Sequence, residues 1–362
     1  MRRQLQFWIA AFGALAAPSI ASAQATEFIA NEGPAPDSVE ELHGPIVIAF
    51  PDAEERPAAL LDSLGWLDEM SPFWSDMRVD ANFRSYYFLR DNGTTALIDE
   101  NEAWAAGGTL NFESGKLWNR ISIGGEYFAS VPIDASDNTP GSGLLQPIQN
   151  TISTFGQAYV RATLGEQVVT FGRQRINKPY LNANDSRMLP ITFEGITLDG
   201  RWERGRLFVG YIDKIKVKNS DTFIAMGRRA GVQNSDEGLW ELGARYEWGE
   251  GNFIGAIASY IPDILSTIYS ELDTHWSSGE WGFRLGAQLT DQRSVGDHLL
   301  MGSSFDTQSF GVRFSAGIDN FILTTVVSYN GDGARIRSPF GGDPSFTSLM
   351  LSNFNLANQL TW

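Results

Sequence analysis

The chain has no cysteine. That removes disulfide scaffolds, thiolate metal sites and cysteine nucleophiles together, so the chain must hold itself by packing or by closing a sheet. Histidine is nearly as scarce, with three in 362 residues: His43, His275 and His298. Gly-x-Ser-x-Gly, His-Glu-x-x-His and phosphate-binding glycine loops are all missing, so no metal, cofactor or catalytic constellation is expected. The N-terminal apolar run is too short to span a bilayer, and no later stretch approaches the roughly 18 residues of a membrane helix. If the chain crosses a membrane, it does so as strands. Lysine is sparse as well, five against 22 arginines, and a formal charge of −16 makes nucleic acid an excluded partner.

What is present begins with a targeting pattern. Arg2 and Arg3 precede an apolar run from Phe7 to Ala17, and Ala21-Ser22-Ala23 is a small-residue cleavage site; residues 1–23 are expected to be a secretory signal peptide. Residues 24–77 hold twelve Asp or Glu against Arg56 alone, with five prolines before Ala58, and are expected to form a mostly extended, acidic periplasmic leader. Leu60, Leu61, Leu64 and Leu67 share one face of a short predicted helix over about 58–69.

From residue 78 to 362 the sequence alternates apolar and polar residues in runs of about ten. The runs predict strands at 78–89, 102–112, 117–130, 154–164, 167–175, 196–203, 206–216, 239–248, 252–260, 266–276, 281–292, 306–316, 321–330 and 353–362. Glycine-bearing turns alternate with long links at 90–101, 131–153, 176–195, 217–238, 293–305 and 331–352, and only the link near Pro262-Asp263 is short where a long one is due. This rhythm is that of an outer-membrane barrel: short turns face the periplasm, long loops face outside, and the N-terminus is periplasmic. Tyr87, Trp104, Tyr127, Trp202, Trp240, Trp248, Tyr260, Trp276, Trp281 and Tyr329 lie near strand ends on the apolar face, as interfacial girdles do. The predicted fold is all-β, an antiparallel transmembrane β-barrel of the porin type in the outer membrane of a Gram-negative bacterium, with lipid as its surroundings.

The same parity puts an arginine near the middle of the polar face of seven strands: Arg84, Arg120, Arg161, Arg201, Arg245, Arg284 and Arg313. A guanidinium pairs a carboxylate through two parallel hydrogen bonds, which lysine cannot do. Two roles fit. The arginines form a basic ladder that passes carboxylate-bearing solutes through repeated weak sites, or they neutralise inward carboxylates such as Asp80, Glu126, Asp199, Glu241, Glu247, Glu271 and Asp273 in a wide barrel that needs polar filling. As the third long link, 176–195 is expected to fold inward and narrow the pore.

Several stretches resemble the OprD family of outer-membrane porins: Arg84-Ser85-Tyr86-Tyr87-Phe88-Leu89-Arg90-Asp91, Glu102-Ala103-Trp104-Ala105-Ala106-Gly107-Gly108, Gly156-Gln157-Ala158-Tyr159, Thr170-Phe171-Gly172-Arg173-Gln174 and, above all, Asn184-Asp185-Ser186-Arg187-Met188-Leu189-Pro190 with Thr192-Phe193-Glu194-Gly195. The resemblance runs from about Phe73 to Trp362. It implies a monomeric eighteen-stranded barrel that selects small carboxylate-bearing molecules such as amino acids and aromatic acids. It also implies a constriction carrying Asn184, Asp185, Ser186 and Arg187, to which Tyr180 of the same link is added. About fourteen strands are found, so the barrel is expected to be incomplete after Trp362, although Phe354, Leu356, Leu360 and Trp362 alternate toward a terminal aromatic as barrel C-termini do.

Two other readings stand beside a channel: a barrel serving as adhesin or scaffold through its long loops, and an outer-membrane hydrolase. For the latter, Asp273-Thr274-His275 resembles the Asp-x-His of omptin-type proteases, but the strand direction places His275 at the periplasmic end, and Asp297-His298 has no evident nucleophile beside it. The chain is expected not to be an enzyme.

Overall fold

The alternation becomes one antiparallel meander. In the computed structural model, which describes residues 46–48, 72–92, 100–347 and 360–361, thirteen long strands follow one another: β1 (Arg78–Asp91), β2 (Glu100–Glu113), β3 (Ile121–Asp134), β4 (Ile152–Leu164), β5 (Gln167–Gln174), β6 (Thr192–Trp202), β7 (Gly205–Lys216), β8 (Leu239–Glu247), β9 (Phe253–Ile261), β10 (Leu265–Ser278), β11 (Trp281–Arg293), β12 (Asp306–Ile318) and β13 (Phe321–Asn330). Each pairs with the next, and β13 pairs with β14 (Leu360–Thr361). A short segment, Ile46–Ile48, lies antiparallel to β1 on its other side, with Ile46 opposite Ser85. Among the described residues no pairing joins the two ends of the sheet. The signal peptide, the helix over 58–69 and most of the last predicted strand lie outside the described residues.

Two strand starts differ from the sequence reading by four residues. β3 begins at Ile121, because Trp118 and Asn119 both take left-handed φ values of 53° and 58° and a bridge joins Leu117 to Ile121. This is the geometry of a tight hairpin turn rather than of extended chain. β6 begins at Thr192, because a bulge between Ile212 and Lys214 lets the pairing with β7 continue to Thr192 opposite Lys216; period-two reading has no place for the extra residue.

One face of the sheet is exposed and apolar, with Phe83, Leu110, Phe171, Leu242, Phe310 and Phe314 among its exposed residues. The girdle residues Trp104, Trp240, Trp276, Trp281 and Tyr329 stand on the same face. Close strand approach is enforced where β1, β2 and β3 meet: a Cβ on Gly108 would sit 1.8 Å from the Asn82 carbonyl oxygen, so a side chain there would force the strands apart.

The inward face is not uniformly polar, which corrects the simple division of faces read from alternation. Phe208, Ile212, Leu239, Ile257 and Tyr269 point inward and are buried against Ile176, Tyr180, Leu181, Ile191, Ile336 and Phe340 from the loops. The reason is visible in β9, Phe253–Ile261, whose sequence is apolar on both faces. Inward apolar positions exist because loops, not water, cover them.

Candidate functional site

The loop between β5 and β6 is shaped by its own residues. Asn177–Lys178 pairs with Leu181–Asn182 around Pro179 and Tyr180, and Tyr180 has a φ of 63°. Proline in the second position and a positive φ in the third give a type II arrangement, normally completed by glycine. Tyrosine is held there by tertiary contacts: its hydroxyl lies 2.9 Å from Thr290 Oγ1 on β11, and its ring meets Tyr269 edge-on. Burial pushes the Tyr180 phenol well above its usual range. Farther along, Ile191 N–H donates to the Ala183 carbonyl at 2.7 Å, closing residues 183–191 into a loop.

That closed segment reaches the opposite wall. Arg84 on β1 donates to both carboxylate oxygens of Asp185 at 2.6 Å and to the Arg187 carbonyl at 2.9 Å. Arg187 donates from Nε to the Ser142 carbonyl at 3.1 Å, and its guanidinium lies 4.7 Å over the Phe88 ring. Ser186 donates to Asn184 Oδ1 and receives the Lys218 ammonium at 2.8 Å. Nearer the loop stems, Arg175 pairs with Glu126 on β3, and Lys178 pairs with Asp199 on β6 at 2.8 Å. One loop thus touches β1, β3, β6 and β11, which it does only by crossing the inside of the sheet. Tyr180, expected at the constriction, is instead 6% exposed within the apolar cluster, as a buried anchor whose ring packs where water is excluded.

The seven ladder arginines divide. Arg84 and Arg313 stand near mid-strand. Arg161, Arg201, Arg245 and Arg284 lie within three residues of the short-turn end of β4, β6, β8 and β11, which corrects the expectation of mid-strand placement. Parity fixes the face a residue occupies but not its height. Arg120 is a second correction: it belongs to the turn before β3 and is exposed, because the left-handed Trp118-Asn119 turn ends the extended run.

Five of the seven are ion-paired. Arg161 meets Glu113 at 2.6 Å. Arg284 grips Asp273 through Nε and Nη2 at 2.8 and 3.0 Å, and Arg313 donates to the same carboxylate. Arg245 and Arg206 share Glu247 at 3.1 and 3.0 Å, and Arg84 holds Asp185. Asp273 is thereby committed to arginines and not to His275, which leaves the Asp-x-His pattern without its pairing. Arg206, absent from the sequence reading, stands opposite both Arg201 and Arg245, so three arginines face one another across three strands. Its signal was present: Arg201 and Arg206 are symmetric about the Glu203-Arg204 turn. Among the described residues no group of three or more histidine or acidic side chains is placed to hold a metal ion.

A family model for the OprD family, outer membrane porins, matches residues 71–362. The chain belongs to the OprD family of outer-membrane porins. Solved relatives agree in fold. Pseudomonas aeruginosa OccK9 (OpdG) is 25% identical with a TM-score of 0.67, over 80% of this chain and 76% of that one. The P. aeruginosa OpdK structure with vanillate is 22% identical at 0.68 over the same shares, and a BenF-like porin from Pseudomonas fluorescens Pf-5 is 18% identical at 0.69, over 79% and 76%. No curated protein matches the sequence. As an OprD-family member the chain is a Gram-negative outer-membrane channel for small solutes.

Proposed function

We propose that this OprD-family channel selects small carboxylate-bearing solutes, amino acids or aromatic and other organic acids, for passive uptake. The constriction is formed by Asn184, Asp185, Ser186 and Arg187, with Tyr180 as the anchor that holds the loop across the lumen. Arg84, Arg161, Arg201, Arg245, Arg284 and Arg313 form the basic path, with Arg206 added and Arg120 at its periplasmic edge. The carrying observation is one of charge. Asp273 serves two arginines and Glu247 serves two, and with the buried Glu271 beside them four guanidinium groups still meet three carboxylates, so the combined cluster keeps a positive charge. Such sites attract a carboxylate yet hold it weakly, because a guanidinium already engaged by protein is only partly available. The OpdK structure carrying vanillate, an aromatic carboxylate, supports the same solute class. We read the channel as a monomer, residues 1–23 as a cleaved signal peptide and 24–77 as a periplasmic leader; N-terminal sequencing of the mature protein tests the cleavage after Ala23.

Swelling of liposomes containing the full chain tests the selectivity. Sodium benzoate should enter faster than a neutral sugar of similar mass, and Arg161→Ala or Arg284→Ala should slow benzoate more than the sugar. Equal losses would make these arginines structural only, and absence of any solute entry through folded protein would favour a scaffold.

A further inference from the structure

Lys218 lies just beyond β7, in the long link that follows it, and is one of only five lysines in the chain. Its ammonium donates to Ser186 Oγ at 2.8 Å and to Asn184 Oδ1 at 3.4 Å, both within the closed segment that crosses the lumen. The two oxygens are neutral, and no carboxylate pairs with Lys218 among the described residues. Arg187 is in the same position: its hydrogen bonds go to the Ser142 and Ser186 carbonyls. The nearby acid, Asp185, is engaged through both oxygens by Arg84. Behind them Arg229 donates to the Pro339 carbonyl, again a neutral acceptor. The segment therefore places two half-buried cations side by side, with its own carboxylate already committed elsewhere. Half-buried charge without a counter-charge is unfavourable and is relieved when an anion arrives.

We propose that Lys218 is a specificity-determining residue of the channel, which with Arg187 supplies the uncompensated positive charge that admits carboxylates past the inward loop. This rests on the channel reading above. It predicts a titration. Burial, helped by Arg187 and Arg229 and opposed by Asp185, lowers the ammonium to about 8. The positive charge is present below that value and lost above it. The group is roughly nine-tenths charged at about pH 7 and one-tenth at about pH 9.

The test is the reversal potential of the full-length channel in a planar bilayer under a KCl gradient, between about pH 7 and about pH 9. Wild type should lose about twofold or more of its anion-over-cation permeability ratio across that range. Lys218→Arg should keep the neutral-pH ratio at both values, and Lys218→Met should show the lower ratio at both. Folding of each variant is scored by heat-modifiable gel mobility, and Lys218→Arg serves as the informative variant if Lys218→Met fails to fold. A wild-type ratio that does not change with pH, or a Lys218→Arg variant that titrates like wild type, overturns the assignment of Lys218 while leaving the channel intact. No current from folded wild type overturns the channel reading itself, and the inference with it.

Discussion

Asp185 accepts both arms of the Arg84 guanidinium at 2.6 Å each, joining residues 101 positions apart in sequence. The pair pins the crossing loop to β1. Without the carboxylate, Arg84 retains only Asn82 and the Arg187 carbonyl. Asp185→Ala is expected to raise mean single-channel conductance and broaden its distribution, and to cost about 1–3 kcal/mol in urea unfolding. Because the two residues act together, Arg84→Ala added to Asp185→Ala should cost much less than the sum of the two singles. Additive losses in that double-mutant cycle would show that the pair does not hold the loop.

Tyr180 anchors the other side of the same loop. Removing its hydroxyl in Tyr180→Phe takes away the contact with Thr290 and should cost about 1 kcal/mol. Removing the ring in Tyr180→Ala should cost about 3–5 kcal/mol, because a packed aromatic leaves a cavity. The two variants compared by unfolding separate the hydrogen bond from the packing, and similar small costs would mean that the ring is not a core residue.

Asp273, 1% exposed, is the shared counter-charge of Arg284 and Arg313. Asp273→Ala leaves two guanidinium groups facing each other without it, and is expected to destabilise the barrel by about 3–5 kcal/mol. In channels that still fold, the same change should increase anion preference, measured as a shift in reversal potential. A shift toward cations would contradict the view that the combined arginine cluster carries surplus positive charge.

The assignment of faces is tested by neighbours on β12. Phe314 is exposed on the apolar face and lies beside Ser315, which points inward toward Thr324. Phe314→Arg should cost about 2–4 kcal/mol when the protein is folded into lipid, as expected for a charge near the bilayer midplane. Ser315→Glu, opposite Arg284 on the inward face, should fold with little loss. Comparable penalties would mean that the parity is wrong.

Much of the barrel was legible in the sequence because strand period and turn glycine act locally. β11 was expected over 281–292 and is Trp281–Arg293. Reading failed where the determinant lay elsewhere in the chain. β6 extends to Thr192 because of a bulge on its partner β7. Arg120 left its strand because Trp118, a residue with no turn preference, adopts a left-handed conformation. Within the candidate site, Asp185 and Arg187 belong to the family motif, whereas Lys218 lies outside it and meets its partners Asn184 and Ser186 from 34 and 32 positions away. The surroundings of Tyr180 are not legible locally, because the apolar inward face that receives it belongs to strands downstream.

The measurement closest to the central claim is current through the folded full-length chain in a planar bilayer under a sodium benzoate gradient. A selective channel for carboxylates should give discrete single-channel steps and a reversal potential on the benzoate side of zero. Steps with a sodium-side reversal potential, or a silent membrane, would contradict the account.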